Sequence, residues 1–266
     1  MPGLIQNWNY HSAGKAENTP LVFLHGFMGS CHIWTPTFHQ IAGSAHCVAL
    51  DLPGHGNTEA DLEHLDFDSL TDAIIDFIDD QKLNRPLLVG YSLGGRIALH
   101  TALKHPEHFR GLVIESASPG IEDEKERITR FDNDSMWGEK LRGGDMRAFL
   151  TEWYRQPVFS YLGPEVIEKI INKKSSNDPL KLAEAMLRLS QGIQTPLWDR
   201  LAQWKKPTLL VTGELDVKYC RILERAHSLI PDSTLSIIPG AGHIVHLEQS
   251  KEFIRVLKSF LDSYIL

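Results

Sequence analysis

Three residues have the types and the order of a serine–acid–histidine catalytic system. Ser92 lies in the pattern Gly90-x-Ser92-x-Gly94, between an aliphatic run and a helical pattern. A serine hydroxyl becomes reactive only when an imidazole takes its proton, and the imidazole needs a carboxylate that fixes its tautomer. After a turn of this kind, the acid and then the histidine follow later strands of the sheet. The sequence therefore predicts Asp216 as the acid and His243 as the histidine.

Both partners of the serine have competitors. Glu214 lies in the same loop as Asp216, and an aspartate at position 216 could instead cap the helix that is predicted from Lys218. His243 is favoured because it directly follows the glycine-rich turn 239–242. The other histidines considered, which are more typical of structural or surface positions, are His25, His55, His227 and His246.

The turn that carries Ser92 is also predicted to stabilise negative charge. Glycines flank the serine because a Cβ atom there would collide with neighbouring backbone, and a helix N-terminus with free N–H groups follows it. An oxyanion needs preorganised N–H donors. We predict the backbone N–H of Leu93, directly after the serine, and that of Phe27, after the strand 21–24. His25 is expected to brace this second loop.

Strand and helix patterns alternate along most of the chain. This alternation predicts an α/β fold with a mostly parallel sheet that is covered by helices on both faces. The expected strands are an edge strand at 4–11 and buried strands at 20–24, 45–50, 87–89, 111–115, 208–213 and 234–238. The expected helices are 31–42, 68–81, 97–103, 218–230 and 249–264.

The alternation stops in one long segment. Residues 120–201 are charged, have helical patterns and lack a strand-like aliphatic run. We predict that they form a helical cap inserted after the strand near 111–115. The α/β core then consists of residues 1–119 and 202–266.

Composition excludes several kinds of partner. The net charge of −7 argues against nucleic acid. No apolar run approaches the ~20 residues that span a bilayer, and no signal peptide is recognised. Cys31, Cys47 and Cys220 are widely spaced and match no metal-binding pattern, which favours reduced thiols in the cytoplasm. No metal or organic cofactor is predicted, and the oligomeric state is left open.

Several motifs together resemble the α/β-hydrolase superfamily over nearly the whole chain. They are His25-Gly26, the segment 51–56, the turn at Ser92, and the loops of Asp216 and His243. The resemblance implies the fold and leaves the reaction open, because this superfamily contains esterases, C–C hydrolases, dehalogenases, lyases and non-catalytic receptors.

A narrower resemblance indicates one reaction. Residues 90–96, 153–159, 194–198 and 213–218 are similar to segments of the 2-succinyl-6-hydroxy-2,4-cyclohexadiene-1-carboxylate synthases of menaquinone biosynthesis. This resemblance implies a lyase that removes a ring proton from 2-succinyl-5-enolpyruvyl-6-hydroxy-3-cyclohexene-1-carboxylate and expels pyruvate. Members of the family use the triad for this elimination rather than for hydrolysis.

Such a substrate carries three carboxylates, so an acidic protein needs a locally cationic pocket to bind it. Arg96 follows the serine turn, where the helix dipole disfavours a cation, and arginine binds carboxylates in bidentate fashion. The family carries an arginine near Lys173 and Lys174, and lysine at these positions is a departure from its pattern. The predicted substrate-binding residues are Tyr91, Arg96, Arg127, Arg130, Trp153, Lys174 and Lys218.

Two other functions are compatible with these residues. A carboxylesterase or C–C bond hydrolase would use Ser92 as a true nucleophile and pass through a covalent intermediate. A non-catalytic small-molecule receptor would keep the fold without turnover. The intact set of Ser92, Asp216 and His243 argues against the receptor.

Overall fold

The computed structural model describes residues 3–264. Its strands are β1 (Ile5–Asn7), β2 (Tyr10–Ala13), β3 (Thr19–Leu24), β4 (Ala45–Leu50), β5 (Glu59–Ala60), β6 (Leu87–Tyr91), β7 (Gly111–Glu115), β8 (Thr208–Gly213) and β9 (Ser233–Ile238). Its α-helices are α1 (Thr35–Ile41), α2 (Phe67–Asp80), α3 (Leu93–Lys104), α4 (Glu124–Arg142), α5 (Met146–Trp153), α6 (Pro164–Lys174), α7 (Pro179–Arg188), α8 (Val217–Leu229), α9 (Val245–Glu248) and α10 (Ser250–Tyr264). None of the helices within residues 3–264 is both long and apolar enough to cross a bilayer.

A central sheet of seven strands positions the loops that matter for function. Its order is β2-β4-β3-β6-β7-β8-β9, in which β2 is antiparallel to β4 and the other neighbouring strands are parallel. Parallel strands that are covered on both faces read as continuous aliphatic runs, which is the pattern found in the sequence. The loops that follow β3, β6, β8 and β9 all emerge at the carboxyl edge of the sheet.

Each buried strand contributes side chains to both faces of the sheet. On β3, Leu21 and Phe23 join the cluster that contains Trp34 and Phe253, whereas Val22 and Leu24 join the cluster on the opposite face. This alternation follows from the two-residue period of a strand. Each such side chain stabilises the fold by roughly 1.5–3 kcal/mol when it is fully buried.

Helices α4 to α7 lie between β7 and β8, and no strand lies between residues 116 and 207. Asp123, Asp145 and Asp178 cap α4, α5 and α7, each accepting a hydrogen bond from a first-turn amide at 2.9 Å. An N-cap of this kind stabilises a helix by about 1 kcal/mol. These helices share an apolar cluster that includes Trp137, Phe149 and Leu182. The division into a cap at 120–201 and a core stays a prediction.

The expected edge strand is divided in the structure. The segment 4–11 forms β1, which pairs with β5 in a separate two-stranded sheet, and β2, which pairs with β4. Between the two strands, the side chain of Asn9 donates to Asp51 Oδ2 at 2.7 Å and its amide donates to Thr58 Oγ1 at 3.0 Å, so this amide takes no part in either sheet. The prediction of one continuous edge strand missed this break. The helix predicted at 249–264 corresponds to α10, and the short helix α9 that precedes it was not predicted.

Candidate active site

Ser92 occupies a strained turn between β6 and α3. Its φ of 52° and ψ of −111° lie outside the regions that L-residues favour, which costs on the order of 1–3 kcal/mol. Gly90 permits this turn, since a Cβ there would lie 2.4 Å from the carbonyl oxygen of Gly94. The amide of Ser92 donates to the carbonyl oxygen of Glu115 at 2.9 Å, which ties the turn to β7.

The structure brings Ser92, His243 and Asp216 together in one hydrogen-bonded chain. His243 Nε2 lies 3.0 Å from Ser92 Oγ, and His243 Nδ1 lies 2.6 Å from Asp216 Oδ2. With Asp216 ionised, Nδ1–H donates to the carboxylate and Nε2 is left to accept the proton of the serine hydroxyl. Both the imidazole and the carboxylate are buried. This geometry fits activation of the serine by the histidine.

The competing acid lies outside this chain of hydrogen bonds. Glu214 is exposed, and its Oε2 accepts from the amide of Gly240 at 3.1 Å, which braces the turn before His243. Asp216 does stand at the N-terminus of α8, yet its side chain caps none of the helix amides. Its carboxylate is bound to His243 instead, which favours the predicted acid over both alternatives.

The other histidines have different partners. His25 is buried, and its ring bonds the carbonyl oxygen of Gly26 at 2.8 Å and accepts from the amide of Leu52 at 3.0 Å. Burial lowers the pKa of His25 to about 4, so the ring braces its loop in the neutral form. Burial likewise lowers the pKa of His55 to about 3. His246 is fully buried against Glu115 at 2.9 Å.

The loop after β3 lies directly against the serine turn. A Cβ on Gly26 would be 2.5 Å from Tyr91 Cε1, and a Cβ on Gly94 would be 2.3 Å from the carbonyl oxygen of Leu24. Neither position therefore has room for a side chain. The amides of Phe27 and Leu93, both at this contact, donate no hydrogen bond to another backbone group of residues 3–264. They are free to bind an oxyanion.

A cavity of about 850 Å³ opens above Ser92 and His243. Of the predicted substrate-binding residues, those that line it are Tyr91, Arg130, Trp153, Lys174 and Lys218. Burial, reinforced by Lys173, lowers the pKa of Lys174 to about 8, and no carboxylate of the described chain offsets this charge. Burial, followed by Arg130, lowers the pKa of Lys218. Cations held at such a cost are suited to a strongly anionic ligand.

Comparison with known proteins decides the family. A family model described as alpha/beta hydrolase fold matches residues 19–250. A protein of Serratia proteamaculans (strain 568) that is named 2-succinyl-6-hydroxy-2,4-cyclohexadiene-1-carboxylate synthase is 32% identical over 249 residues, covering 93% of this chain and 95% of that protein. The structure of MenH from S. aureus superposes with a TM-score of 0.91 at 31% identity, over 97% of this chain and 99% of that chain.

The chain belongs to the 2-succinyl-6-hydroxy-2,4-cyclohexadiene-1-carboxylate synthase family of α/β hydrolases. The predicted fold class and family are thereby confirmed. An esterase from Thermogutta terrifontis has a TM-score of 0.85 at 21% identity, over 97% of this chain and 94% of that chain, and shares the fold alone.

Two of the predicted substrate-binding arginines do not line the cavity of this synthase-family protein. Arg96 donates from Nη2 to the carbonyl oxygen of Leu189 at 2.9 Å and from Nη1 to Gln194 Oε1 at 3.1 Å. Arg127 donates to the carbonyl oxygen of Glu122 at 2.8 Å, at the start of α4. Both guanidinium groups therefore satisfy backbone carbonyls of the helical segment instead of facing the cavity.

We expect Arg96→Ala to reduce the stability of the fold by about 1–3 kcal/mol, because the partly buried carbonyl of Leu189 loses its donor. Chemical denaturation of the purified variant measures this effect. Burial lowers the pKa of Arg96 to about 10, so the guanidinium stays charged at neutral pH. If the variant has unchanged stability and binds substrate more weakly, Arg96 is a substrate-binding residue after all.

Three residues that contact His243 or its loop were not predicted from the sequence. Tyr219 lines the cavity, and its ring centroid lies 4.8 Å from that of His243. Tyr161 and Glu248 hydrogen-bond the loop of His243. Glu248 lies five residues after His243, so the local sequence could have indicated it. Tyr161 gave no such signal, because it lies 82 residues before His243.

Proposed function

We propose that this protein eliminates pyruvate from 2-succinyl-5-enolpyruvyl-6-hydroxy-3-cyclohexene-1-carboxylate, giving 2-succinyl-6-hydroxy-2,4-cyclohexadiene-1-carboxylate. The observation that carries the proposal is the connected chain of Ser92, His243 and Asp216 beneath a cavity that contains Lys174 and Lys218. Membership in the synthase family supports the same reaction. The helical segment 120–201 serves as the cap of this cavity.

The first step is removal of the ring proton next to the succinyl ketone. Ser92 Oγ takes this proton while its own proton passes to His243 Nε2, 3.0 Å away. Asp216 stabilises the imidazolium through its 2.6 Å contact with Nδ1. Negative charge develops on the ketone oxygen as the enolate forms. The backbone amides of Phe27 and Leu93 donate hydrogen bonds to that oxygen, which is the largest stabilising effect at such sites.

The second step breaks the C–O bond to the enolpyruvyl group. The electron pair of the enolate moves through the ring and forms the second double bond of the diene. The departing oxygen leaves as enolpyruvate, which takes a proton and becomes pyruvate. His243 holds the abstracted proton equivalent and can return it to the leaving group. Atoms and charge balance without an acyl-enzyme.

The cations of the cavity bind the three carboxylates of this substrate. Lys174 on α6 and Lys218 on α8 come from different parts of the chain, so they approach the ligand from two directions. Arg130 on α4 lines the same cavity and is held by Asp134, both of whose carboxylate oxygens lie 2.9 Å from Arg130 Nε. Tyr91 and Trp153 supply apolar wall beside the ring. A small anionic ligand, and not nucleic acid, fits this arrangement.

Binding is expected to weaken at alkaline pH through Lys174. Because the pKa of Lys174 is lowered to about 8, the free enzyme loses this positive charge as the pH rises through 8. The bound carboxylate requires the protonated form, so kcat/KM should fall by up to about tenfold per pH unit above that value. Lys174→Arg keeps its charge at every accessible pH, so its kcat/KM should decrease much less above pH 8, on the alkaline limb of the pH profile. Identical alkaline limbs in both proteins would exclude Lys174 from carboxylate binding.

A hydrolase is the second candidate, since the contact between Ser92 and His243 also suits nucleophilic attack. Such an enzyme forms an acyl-serine and releases the first product in a burst. The intact mass of the protein during turnover separates the two mechanisms. Slow turnover of an activated ester does not decide between them, because an aligned triad attacks such esters incidentally.

A coupled assay tests the proposed function. The preceding enzyme of the pathway generates the unstable substrate in place, the purified protein is added, and pyruvate and ultraviolet absorbance of the diene are followed together. We expect both to appear in equal amounts at a rate proportional to protein. No acceleration of either product would overturn the proposal.

We further propose that the protein acts in the cytoplasm. Cys31 and Cys47 are buried as free thiols, and Cys220 is a partly buried free thiol. Burial raises the pKa of Cys31 and of Cys47 to about 12, which keeps both unreactive. This cysteine usage is typical of a reducing compartment.

A further inference from the structure

Tyr161 connects the helical segment to the loop that carries His243. It lies between the 3₁₀ turn Pro157–Phe159 and α6. Its hydroxyl accepts a hydrogen bond from the amide of His243 at 2.8 Å and donates one to Glu248 Oε1 at 2.9 Å. The tyrosine is thus bonded to the backbone of the histidine that serves as the general base.

Glu248 completes this arrangement from the other side. Its Oε2 accepts from the amide of Gly242 at 2.7 Å, and its Oε1 accepts from the amide of Ile244 at 2.7 Å. Three consecutive amides, those of residues 242–244, are therefore fixed by one carboxylate and one phenol. A buried amide without an acceptor is costly, so this loop depends on both groups. Only the phenol comes from the helical segment.

The ring of Tyr161 also rests on the backbone of the same loop. A Cβ on Gly242 would lie 2.0 Å from Tyr161 Cζ and 2.3 Å from its Cε1. Gly242 does not have a left-handed φ, so the backbone conformation at this position does not demand glycine. The absence of a side chain at position 242 is explained by the ring above it. Contact and hydrogen bond together fix Tyr161 against the loop.

The hydroxyl of Tyr161 keeps its proton throughout the working range. Burial, together with the charge of Glu248, raises the pKa of Tyr161 well above its usual value. The phenol therefore remains a donor to Glu248 and an acceptor for the amide of His243. Tyr161 is not among the residues that line the cavity, so it does not act by touching the substrate.

We propose that Tyr161 is a positioning residue that makes the alignment of His243 with Ser92 depend on the seating of the helical segment. The helical segment 120–201 contacts the backbone of His243 through the hydroxyl of Tyr161. The imidazole ring of His243 in turn contacts Ser92 Oγ. A displacement of about 1 Å in such a system costs on the order of 10²-fold in rate. The inference rests on the proposed function only for the reaction that is used to measure it.

Tyr161→Phe removes the hydroxyl and keeps the ring. We expect kcat for pyruvate elimination to fall by about tenfold, because the amide of His243 loses its acceptor while the cavity is unchanged. KM should stay within about twofold. Tyr10→Phe is the matched control, because the hydroxyl of Tyr10 bonds Gln81 at 3.3 Å on a remote edge strand. A Tyr161→Phe protein with the kcat of the wild type would overturn the proposal.

A double-mutant cycle with Gly242 separates positioning from a general loss of structure. Gly242→Ala alone should lower kcat by about 10²-fold, because its methyl group displaces the ring of Tyr161. In a Tyr161→Ala background the same methyl group has room, and it should cost less than about threefold more. If Gly242→Ala lowers kcat by the same factor in both backgrounds, the conformation of the His243 loop does not depend on Tyr161, and the proposal is overturned.

A measurement that does not use the substrate tests the role of Tyr161 independently of the proposed elimination reaction. A fluorophosphonate reacts with Ser92 only as fast as His243 takes the serine proton. The rate of labelling should fall in Tyr161→Phe by the same factor as kcat, and should be unchanged in Tyr10→Phe. If the protein eliminates no pyruvate, this labelling result still supports or overturns the role of Tyr161.

Discussion

Ser92→Ala is expected to lower kcat for pyruvate elimination by at least about 10³-fold, since it removes the group that takes the ring proton. In the structure Ser92 Oγ lies 3.0 Å from His243 Nε2, the atom that can take its proton. Lys174 and Lys218, which we propose as the ligands of the carboxylates, are unchanged in this variant, so the affinity for substrate should change little. The coupled assay measures kcat, and fluorescence titration with the diene product measures binding.

Ser228→Ala is a suitable control for this variant. Ser228 is an exposed serine on α8 whose hydroxyl donates only to the carbonyl oxygen of Arg225 at 2.7 Å. We expect its kcat to match that of the wild type. Activity of Ser92→Ala within about tenfold of the wild type would mean that another base removes the proton.

Asp216→Asn is expected to lower kcat by about 10³–10⁴-fold. An amide nitrogen in place of Oδ2 can donate to His243 Nδ1, which favours the tautomer with its proton on Nε2. That proton then faces Ser92 Oγ, and the imidazole can no longer accept the proton of the serine. The carboxylate also no longer stabilises the imidazolium. The assay is the same, and circular dichroism establishes that the variant is folded.

Glu214→Gln provides the matched comparison in the same loop. The amide oxygen of glutamine can still accept from the backbone of Gly240, as Glu214 Oε2 does at 3.1 Å. We expect an effect within about twofold, as for most exposed substitutions. The reverse result, with Glu214→Gln inactive and Asp216→Asn active, would assign the acid to Glu214.

Residues whose position is set by local backbone could be predicted from the sequence. Ser92 was recognisable because glycines at positions 90 and 94 are required by a turn with the φ of 52° that the serine adopts. Asp216 and His243 follow β8 and β9, two aliphatic runs whose carboxyl ends meet at one edge of a parallel sheet. In each case a short pattern and the topology of the sheet are sufficient.

Residues whose role depends on distant partners could not be predicted in this way. The side chain of Arg96 is directed by Leu189 and Gln194, more than 90 residues away along the chain, and local sequence carries no information about them. Glu115 ends the predicted strand 111–115, and its buried carboxylate contacts His246 at 2.9 Å, 131 residues away along the chain, which no local pattern indicated. The partners of a long side chain can come from any part of the fold, so the neighbouring sequence does not identify them.

We propose that Ser92 removes a proton and does not attack carbon. The most direct test of this mechanism is a single-turnover reaction with substrate that carries deuterium at the ring carbon next to the succinyl ketone, with the mass of the protein recorded at intervals. We predict that deuterium slows the release of pyruvate and the formation of the diene to the same extent, and that the mass of the protein does not change. Equal rates for the two isotopes, together with a covalent adduct on Ser92, would contradict the mechanism.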